Sequence, residues 1–289
     1  MIPPRFEYLR PTSVEDALSL LRTHGDDARL LAGGHSLVPL LKLRLAAPRY
    51  LIDIGRLPAL SYIREEAGTI RLGALTTHAE IEYSELLRVR LPLLPEVASR
   101  IGDVQVRNRG TIGGSLVHAH PAADLPAALL ALAAEMVVQG PGGCRKVPAA
   151  DFCVGMFTTV LRPDEILVEI RIPPLPHGIG GAYLKAEDKA SHFAVVGVAA
   201  LVGAEPTGTC QFARVGVTGF AGVPFRATTV EAAILRKPLT EESVRVAAQG
   251  IADAGEPLSD LFASAAYRRH LTQVYVARAL MQAASRALQ

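Results

Sequence analysis

The sequence predicts an α+β fold of two domains. Three observations carry that expectation. The N-terminal part mixes strand-like apolar runs with amphipathic helical stripes. A Pro- and Gly-dominated stretch, PPLPHGIGG at 173–181, then interrupts the pattern. Beyond it, strands come first and helices last, the order expected of a small sheet covered by a helical layer. The length of 289 residues suits about two domains. Hydrophobic residues make up 49% and charged residues 20%, so the core needs neither disulfides nor a structural metal.

Residues 12–24 predict a helix, because Val14, Ala17, Leu18 and Leu21 form one stripe and Thr12 and Glu15 have capping-box spacing. ARLL at 28–31 and RYLIDI at 49–54 read as strands. GHSLVPLLKLRLAAP between them, punctuated by Pro39 and Pro48, reads as irregular chain or a short helix, so the opening is βαβ-like. Residues 61–76 read as a hairpin, and His78–Leu87 and Pro95–Gly102 as helices. RNRGTIGGSLVHAHPAAD at 107–124 fits neither regular period. Pro126 opens a helix, LPAALLALAAE, with the acid Asp124 near its start. EMVVQG, a PGG turn, CRKV and EILVEIRIP at 165–173 form a β-rich region. After the boundary come the strands AYLK, AVVGVAALVG (194–203) and QFARVGVTGF (211–220). The helices TVEAAIL, ESVRVAAQGIA and a long segment from Ser259 to Leu288 close the chain.

Composition excludes several functions. With 30 basic and 28 acidic residues, the net charge of +2 leaves no electrostatic footprint for nucleic acid. Cys144, Cys153 and Cys210 lie far apart without a CxxC, which argues against a disulfide scaffold and a cysteine-ligated zinc or iron–sulfur site. MIPPRFEYLRP lacks the apolar core of a signal peptide, and apolar runs fall short of a bilayer span. A soluble, cytoplasmic protein is expected. There is no GxSxG elbow for a hydrolase and no carboxylate pair that stands out for glycoside cleavage.

Two paired-glycine motifs remain. Ala32, Gly33, Gly34, His35 and Ser36 follow a strand, and Thr111, Ile112, Gly113, Gly114 and Ser115 form the second. Adjacent glycines let backbone N–H groups approach an anion such as a pyrophosphate. Each pair alone reads more readily as a turn. Neither has the GxGxxG of the dinucleotide-binding fold or the GxxxxGK(S/T) of a P-loop, so a dinucleotide cradle of another fold stays open. His118 and His120 suggest a metal pair, but no Cys or Glu cluster completes it. Asp124 reads as a helix N-cap or a ligand contact. Lys185, Glu187, Asp188 and Lys189 read as a solvated charged face.

AGGHSLVPLLKLRLAAP (32–48), RNRGTIGGSLVHAHPAADLPAALLAL (107–132) and FTTVLRPDEILVEIRIP (157–173) resemble the FAD-binding medium subunit of molybdenum hydroxylases, nearest the carbon monoxide dehydrogenase type. The likeness spans essentially the whole chain. It implies a PCMH-type, vanillyl-alcohol-oxidase-like FAD domain at 1–176, with subdomains 1–56 and 57–176. A C-terminal domain of antiparallel sheet plus helices would follow at 177–289. It implies noncovalent FAD, with Ala32–Ser36 and Thr111–Ser115 lining the pyrophosphate. Asp124 would bind the polar portion, Leu167 and Lys185 would contact the flavin, and Phe193 would face the isoalloxazine. His120 stands where the family commonly has Asp or Ser, and Ser115 where Asn is common; both put local hydrogen bonding in question.

The implied role is electron transfer. A [2Fe-2S] small subunit and a molybdopterin large subunit would be partners, in an αβγ complex often doubled to a heterohexamer. Electrons would reach FAD here and leave to an external acceptor. No acid, base or nucleophile is assigned to this chain. Two alternatives stay open: a standalone flavin-dependent oxidoreductase with its own substrate pocket, in which His35 is a candidate for covalent attachment, and a flavin-free assembly subunit.

Overall fold

A computed structural model describes residues 2–288. In the first unit, β1 (Glu7–Leu9), α1 (Val14–His24), β2 (Ala28–Leu31), α2 (Leu37–Lys42) and β3 (Tyr50–Asp53) build a parallel sheet ordered β1-β3-β2. Helix α1 buries Val14, Ala17, Leu18 and Leu21, the stripe seen in the sequence. Its cap differs from the expected Thr12–Glu15 box. Ser13 is extended and its hydroxyl accepts from the Asp16 N–H at 3.0 Å, while the Thr12 N–H donates to the Asp16 carboxylate. Ser13 and Asp16 have the same spacing one residue later, and the backbone angles at Ser13 decide the register.

The second unit contains β4 (Ile63–Glu66), β5 (Thr69–Gly73), α3 (His78–Tyr83), α4 (Glu85–Arg90), α5 (Leu93–Ser99), α6 (Val104–Arg107), α7 (Ile112–His118) and α8 (Leu125–Ala131). It continues through β6 (Glu135–Gly140), β7 (Gly143–Pro148), α9 (Ala149–Phe152), β8 (Cys153–Gly155), β9 (Thr158–Thr159) and β10 (Ile166–Ile172). An antiparallel sheet runs β4-β5-β10-β6-β7. The expected helix at His78–Leu87 is two helices, because Ser84 is extended and its hydroxyl restarts the chain by accepting from the Leu87 N–H.

The third unit holds β11 (Ile179–Glu187), β12 (Ala194–Ala204), β13 (Cys210–Thr218), β14 (Phe225–Arg226), α10 (Thr228–Ile234), α11 (Glu241–Ala248) and α12 (Ala265–Ala287). Its four strands pair antiparallel in sequence order. Strand period two decides the packing. On β12, Val196, Val198, Ala200 and Val202 face a core shared with α10–α12. Ala199 and Leu201 face the opposite way, into a core shared with α5, α7, α8 and the five-stranded sheet.

A bulge in β10 between Leu167 and Glu169 sets the remaining seam. Val168 and Ile166 join α1 and β3 in a third core. The bulge re-aims the next residues, so Ile170 and Ile172 enter the large core and Glu169 turns away from it. There Glu169 accepts from Arg71 Nε at 2.8 Å and from the Tyr62 hydroxyl at 2.6 Å. Burial raises the carboxyl, but the hydrogen bonds from Arg71, Tyr62 and Arg171 outweigh it and hold it at about 2, against an ordinary 4.5. A depressed carboxyl stabilises the fold above its unfolded value and loses that contribution as pH falls toward its folded value. Stability is therefore expected to fall between pH 4.5 and about 2. In E169Q this slope should flatten, with a loss of about 2 kcal/mol at pH 6. Urea unfolding of both proteins across pH 6 to 3 measures it.

Candidate functional site

The chain leaves β2 at Leu31 and turns through Ala32–Ser36 into α2. Gly34 has φ +81°, a left-handed angle that favours glycine. Gly33 has a different reason. A Cβ there would come within 1.9 Å of the Arg109 carbonyl oxygen, so this glycine lets the first loop rest on the segment leading to the second. His35 Nε2 lies 3.0 Å from the Gln105 carbonyl and ties the same two segments. Among the described residues, the N–H groups of Gly33, Gly34, His35 and Ser36 donate to no protein acceptor.

The second motif behaves otherwise. It is the start of α7, with Thr111 as N-cap. The Ile112 N–H donates to the Thr76 carbonyl at 2.9 Å, and the Gly113 N–H to the Ala74 carbonyl at 2.8 Å. The Gly114 N–H donates to the Thr111 hydroxyl at 3.1 Å, and the Ser115 N–H to the Thr111 carbonyl. All four donors are spent inside the protein, so they form no anion cradle of their own. A Cβ on Gly113 would meet the Ala74 carbonyl oxygen at 2.6 Å, which explains that glycine by packing. What faces outward is the half-buried surface of Gly114 and Ser115. Beneath the loops lies His78, buried, with Nδ1 unpartnered among the described residues. Burial first, then His35 and Arg107, push its pKa down to about 4.

At the far end of α7 the second and third units meet. Asp124 begins α8 without capping it by its side chain. Its carboxylate instead accepts from the Tyr183 hydroxyl at 2.6 Å and pairs with Lys185 Nζ at 3.0 Å. Lys185 Nζ also donates to the carbonyls of Arg100 and His192, both at 2.6 Å. Burial holds the Asp124 carboxyl above its ordinary value against the pull of Lys185 and Tyr183. Burial also drives the Tyr183 hydroxyl well above 10, with Asp124 adding to it. Lys185 is therefore not part of a solvated charged face: its side chain is 0% exposed. Alternation along β11 turns it inward with Tyr183, while Asp188 and Lys189 stay outside.

Above this pair stands an aromatic patch. The Phe193 ring stacks on His120, centroids 4.3 Å apart and planes 15° from parallel. Phe157 meets His120 edge-on and His118 at a tilt, both at 5.3 Å. His120 Nδ1 accepts from the Ala122 N–H at 3.1 Å, as an Asp side chain would in an Asx turn. The local hydrogen bond put in question by this residue is thus kept. Three non-glycine residues at the patch, Ala119, Phe157 and His192, are left-handed. Each such residue costs about 1 kcal/mol, and their concentration marks a constrained surface.

A family model described as the FAD binding domain in molybdopterin dehydrogenase matches residues 4–175. A second, the CO dehydrogenase flavoprotein C-terminal domain, matches residues 181–283. The chain belongs to this flavoprotein family. The carbon monoxide dehydrogenase medium chain of Hydrogenophaga pseudoflava is 44% identical over 286 residues, 99% of each chain. Subunit alpha of the 6-hydroxypseudooxynicotine dehydrogenase complex of Paenarthrobacter nicotinovorans is 40% identical, over 99% of this chain and 97% of that one. A solved structure of the Hydrogenophaga carbon monoxide dehydrogenase, lacking the Mo-pyranopterin moiety of its cofactor, superposes with a TM-score of 0.96 at 45% identity, covering 99% of both chains. The protein is a medium, FAD-binding oxidoreductase subunit of the molybdenum hydroxylase type. Among its described residues no helix is long and apolar enough to cross a membrane.

The flavoprotein's residues fit an FAD. Four unpaired N–H groups in one turn suit a pyrophosphate, and a half-exposed aromatic patch suits a flat ring system. Ala32–Ser36 and Thr111–Ser115 come together at the contact of Gly33 with Arg109. Asp124, Lys185 and Phe193 come together at the other end of α7. Leu167 joins neither group, because its side chain is buried in the large core. Tyr183, His78 and Phe157 carry no sequence motif of their own that would single them out, and His118 stands out in the sequence only as half of a histidine pair. D124A leaves the buried Lys185 ammonium with only the more distant Glu187 carboxylate, at 3.7 Å, and should cost about 3 kcal/mol in urea unfolding. D124N keeps both hydrogen bonds and should cost about 1–2 kcal/mol.

Proposed function

We propose that this flavoprotein is the electron-transfer station of its complex. It holds FAD noncovalently, receives electrons from a [2Fe-2S] small subunit and passes them to an external acceptor. Substrate is oxidised on a molybdopterin large subunit, in an (αβγ)2 assembly. The observation that carries this reading is the run of unpaired N–H groups at Gly33–Ser36 at one end of α7, with the aromatic patch at the other. Helix α7 has seven residues, a length of about 10 Å. That separation suits the ribityl chain between a pyrophosphate and an isoalloxazine. When bound, FAD supplies the redox chemistry.

The chain's own residues bind, orient and exclude water. Gly33, Gly34, His35 and Ser36 present N–H donors to the pyrophosphate, and Ala32 leads the strand into that turn. Thr111, Ile112 and Gly113 fix the second loop, and Gly114 and Ser115 form its wall. Phe193 offers its ring to the isoalloxazine. Asp124 and Lys185 act by placing the Phe193 loop, and Leu167 by packing the sheet behind it. The division at 1–56, 57–176 and 177–289 is supported by the sheets, since none of the four crosses a boundary.

The test is flavin content. Wild-type chain should release about one FAD on heating, with none left in the precipitate. G34V forces a β-branched residue into a left-handed angle, with Val38 and Leu31 at 3.2 and 3.4 Å from its Cβ. It should retain less than about a tenth of the FAD while keeping a native far-ultraviolet spectrum. An unchanged FAD stoichiometry in G34V would contradict the site.

A further inference from the structure

Phe193 has two ring faces, and they are not equivalent. One is covered by the imidazole of His120 at 4.3 Å, nearly parallel. The residue as a whole is still 45% exposed, which leaves the second face open to a ligand. The imidazole itself is held on three sides. Phe157 meets it edge-on, the Ala122 N–H fixes Nδ1, and His118 flanks it with ring centroids 6.2 Å apart.

The backbone reinforces the pairing. The Ala194 N–H donates to the Ala122 carbonyl, and the Thr218 hydroxyl lies 2.9 and 2.8 Å from the carbonyls of Pro121 and Ala123. The turn carrying His120 is thereby tied to the strands that carry Phe193. Directly before Phe193, His192 is left-handed and its carbonyl is gripped by Lys185. Nothing else among the described residues stacks on the Phe193 ring.

We infer that His120 is a positioning residue for the flavin: it backs Phe193 as a second aromatic plate and fixes the angle at which that ring meets the isoalloxazine. The inference rests on the reading of Phe193 given above. An Asp or Ser at this position supplies the turn's acceptor but no plate. His120 supplies both, so the two roles separate by substitution. H120D keeps an acceptor for the Ala122 N–H and removes the plate. H120F keeps the plate and removes the acceptor.

The experiment uses the full chain loaded with FAD and reads two quantities: the FAD dissociation constant, and the circular dichroism of the flavin bands between 350 and 500 nm (about the range of the chromophore's visible absorption). F193A should weaken FAD binding about tenfold and change the flavin dichroism. H120D should weaken binding about fivefold and shift the dichroism toward that of F193A. H120F should stay within about twofold of wild type with the wild-type dichroism. In the F193A background, H120D should have no further effect, because His120 acts through that ring. The inference is overturned if H120D matches wild type while F193A does not, or if H120D acts equally with and without Phe193. Should F193A itself leave both readouts unchanged, the Phe193 reading fails first and carries the inference with it.

Discussion

The ammonium of Lys185 is fully buried, and its nearest partners come from three separate stretches of chain, the Arg100 carbonyl, the Asp124 carboxylate and the His192 carbonyl, with the Glu187 carboxylate farther off at 3.7 Å. A buried charge is tolerated only when such partners are all in place. The condition therefore fixes three things together. It holds the end of α5, the start of α8 and the hairpin between β11 and β12 in one arrangement. The aromatic patch depends on that arrangement, because His120 lies four residues before Asp124 and Phe193 follows His192 directly.

Asp124 and Lys185 thus have a structural task of their own. Asp124 Oδ1 takes both the Tyr183 hydroxyl and the Lys185 ammonium. Gly33 and Gly113 likewise have a packing reason. A Cβ on either would run into a nearby backbone carbonyl, that of Arg109 or Ala74. In the proposed site the ligand-facing task falls to groups that the fold leaves unpaired, namely the N–H groups of the first loop and the open face of Phe193.

Much of the architecture was legible because it obeys simple periods. The α1 stripe and the hairpin at 61–76 follow burial on one face, and β12 reads as one continuous apolar run because both of its faces are buried. The helix at 112–118 was not legible. Two glycines lower its intrinsic propensity, and it forms because Thr76 and Ala74 accept the hydrogen bonds of its first turn. Lys185 among Glu187, Asp188 and Lys189 looks solvated in sequence, and only strand pairing reveals which of these faces inward. The bulge that aims Glu169 at Arg71 leaves no sequence mark at all. For the site, the paired glycines mark two loops that the fold brings together, and packing against the Arg109 and Ala74 carbonyls, which needs the tertiary structure, accounts for Gly33 and Gly113. His120 looked like a loss of hydrogen bonding, and it keeps the bond while adding a ring.

In the proposed site the first glycine loop meets the pyrophosphate with its own backbone, while the second serves as a braced wall. Amide hydrogen exchange of the chain with and without FAD distinguishes the two loops. Gly33–Ser36 should exchange fast in the flavin-free protein and slow strongly once FAD binds. Ile112–Ser115 should already be slow and change little. Protection appearing at Ile112–Ser115 with none at Gly33–Ser36 would contradict it.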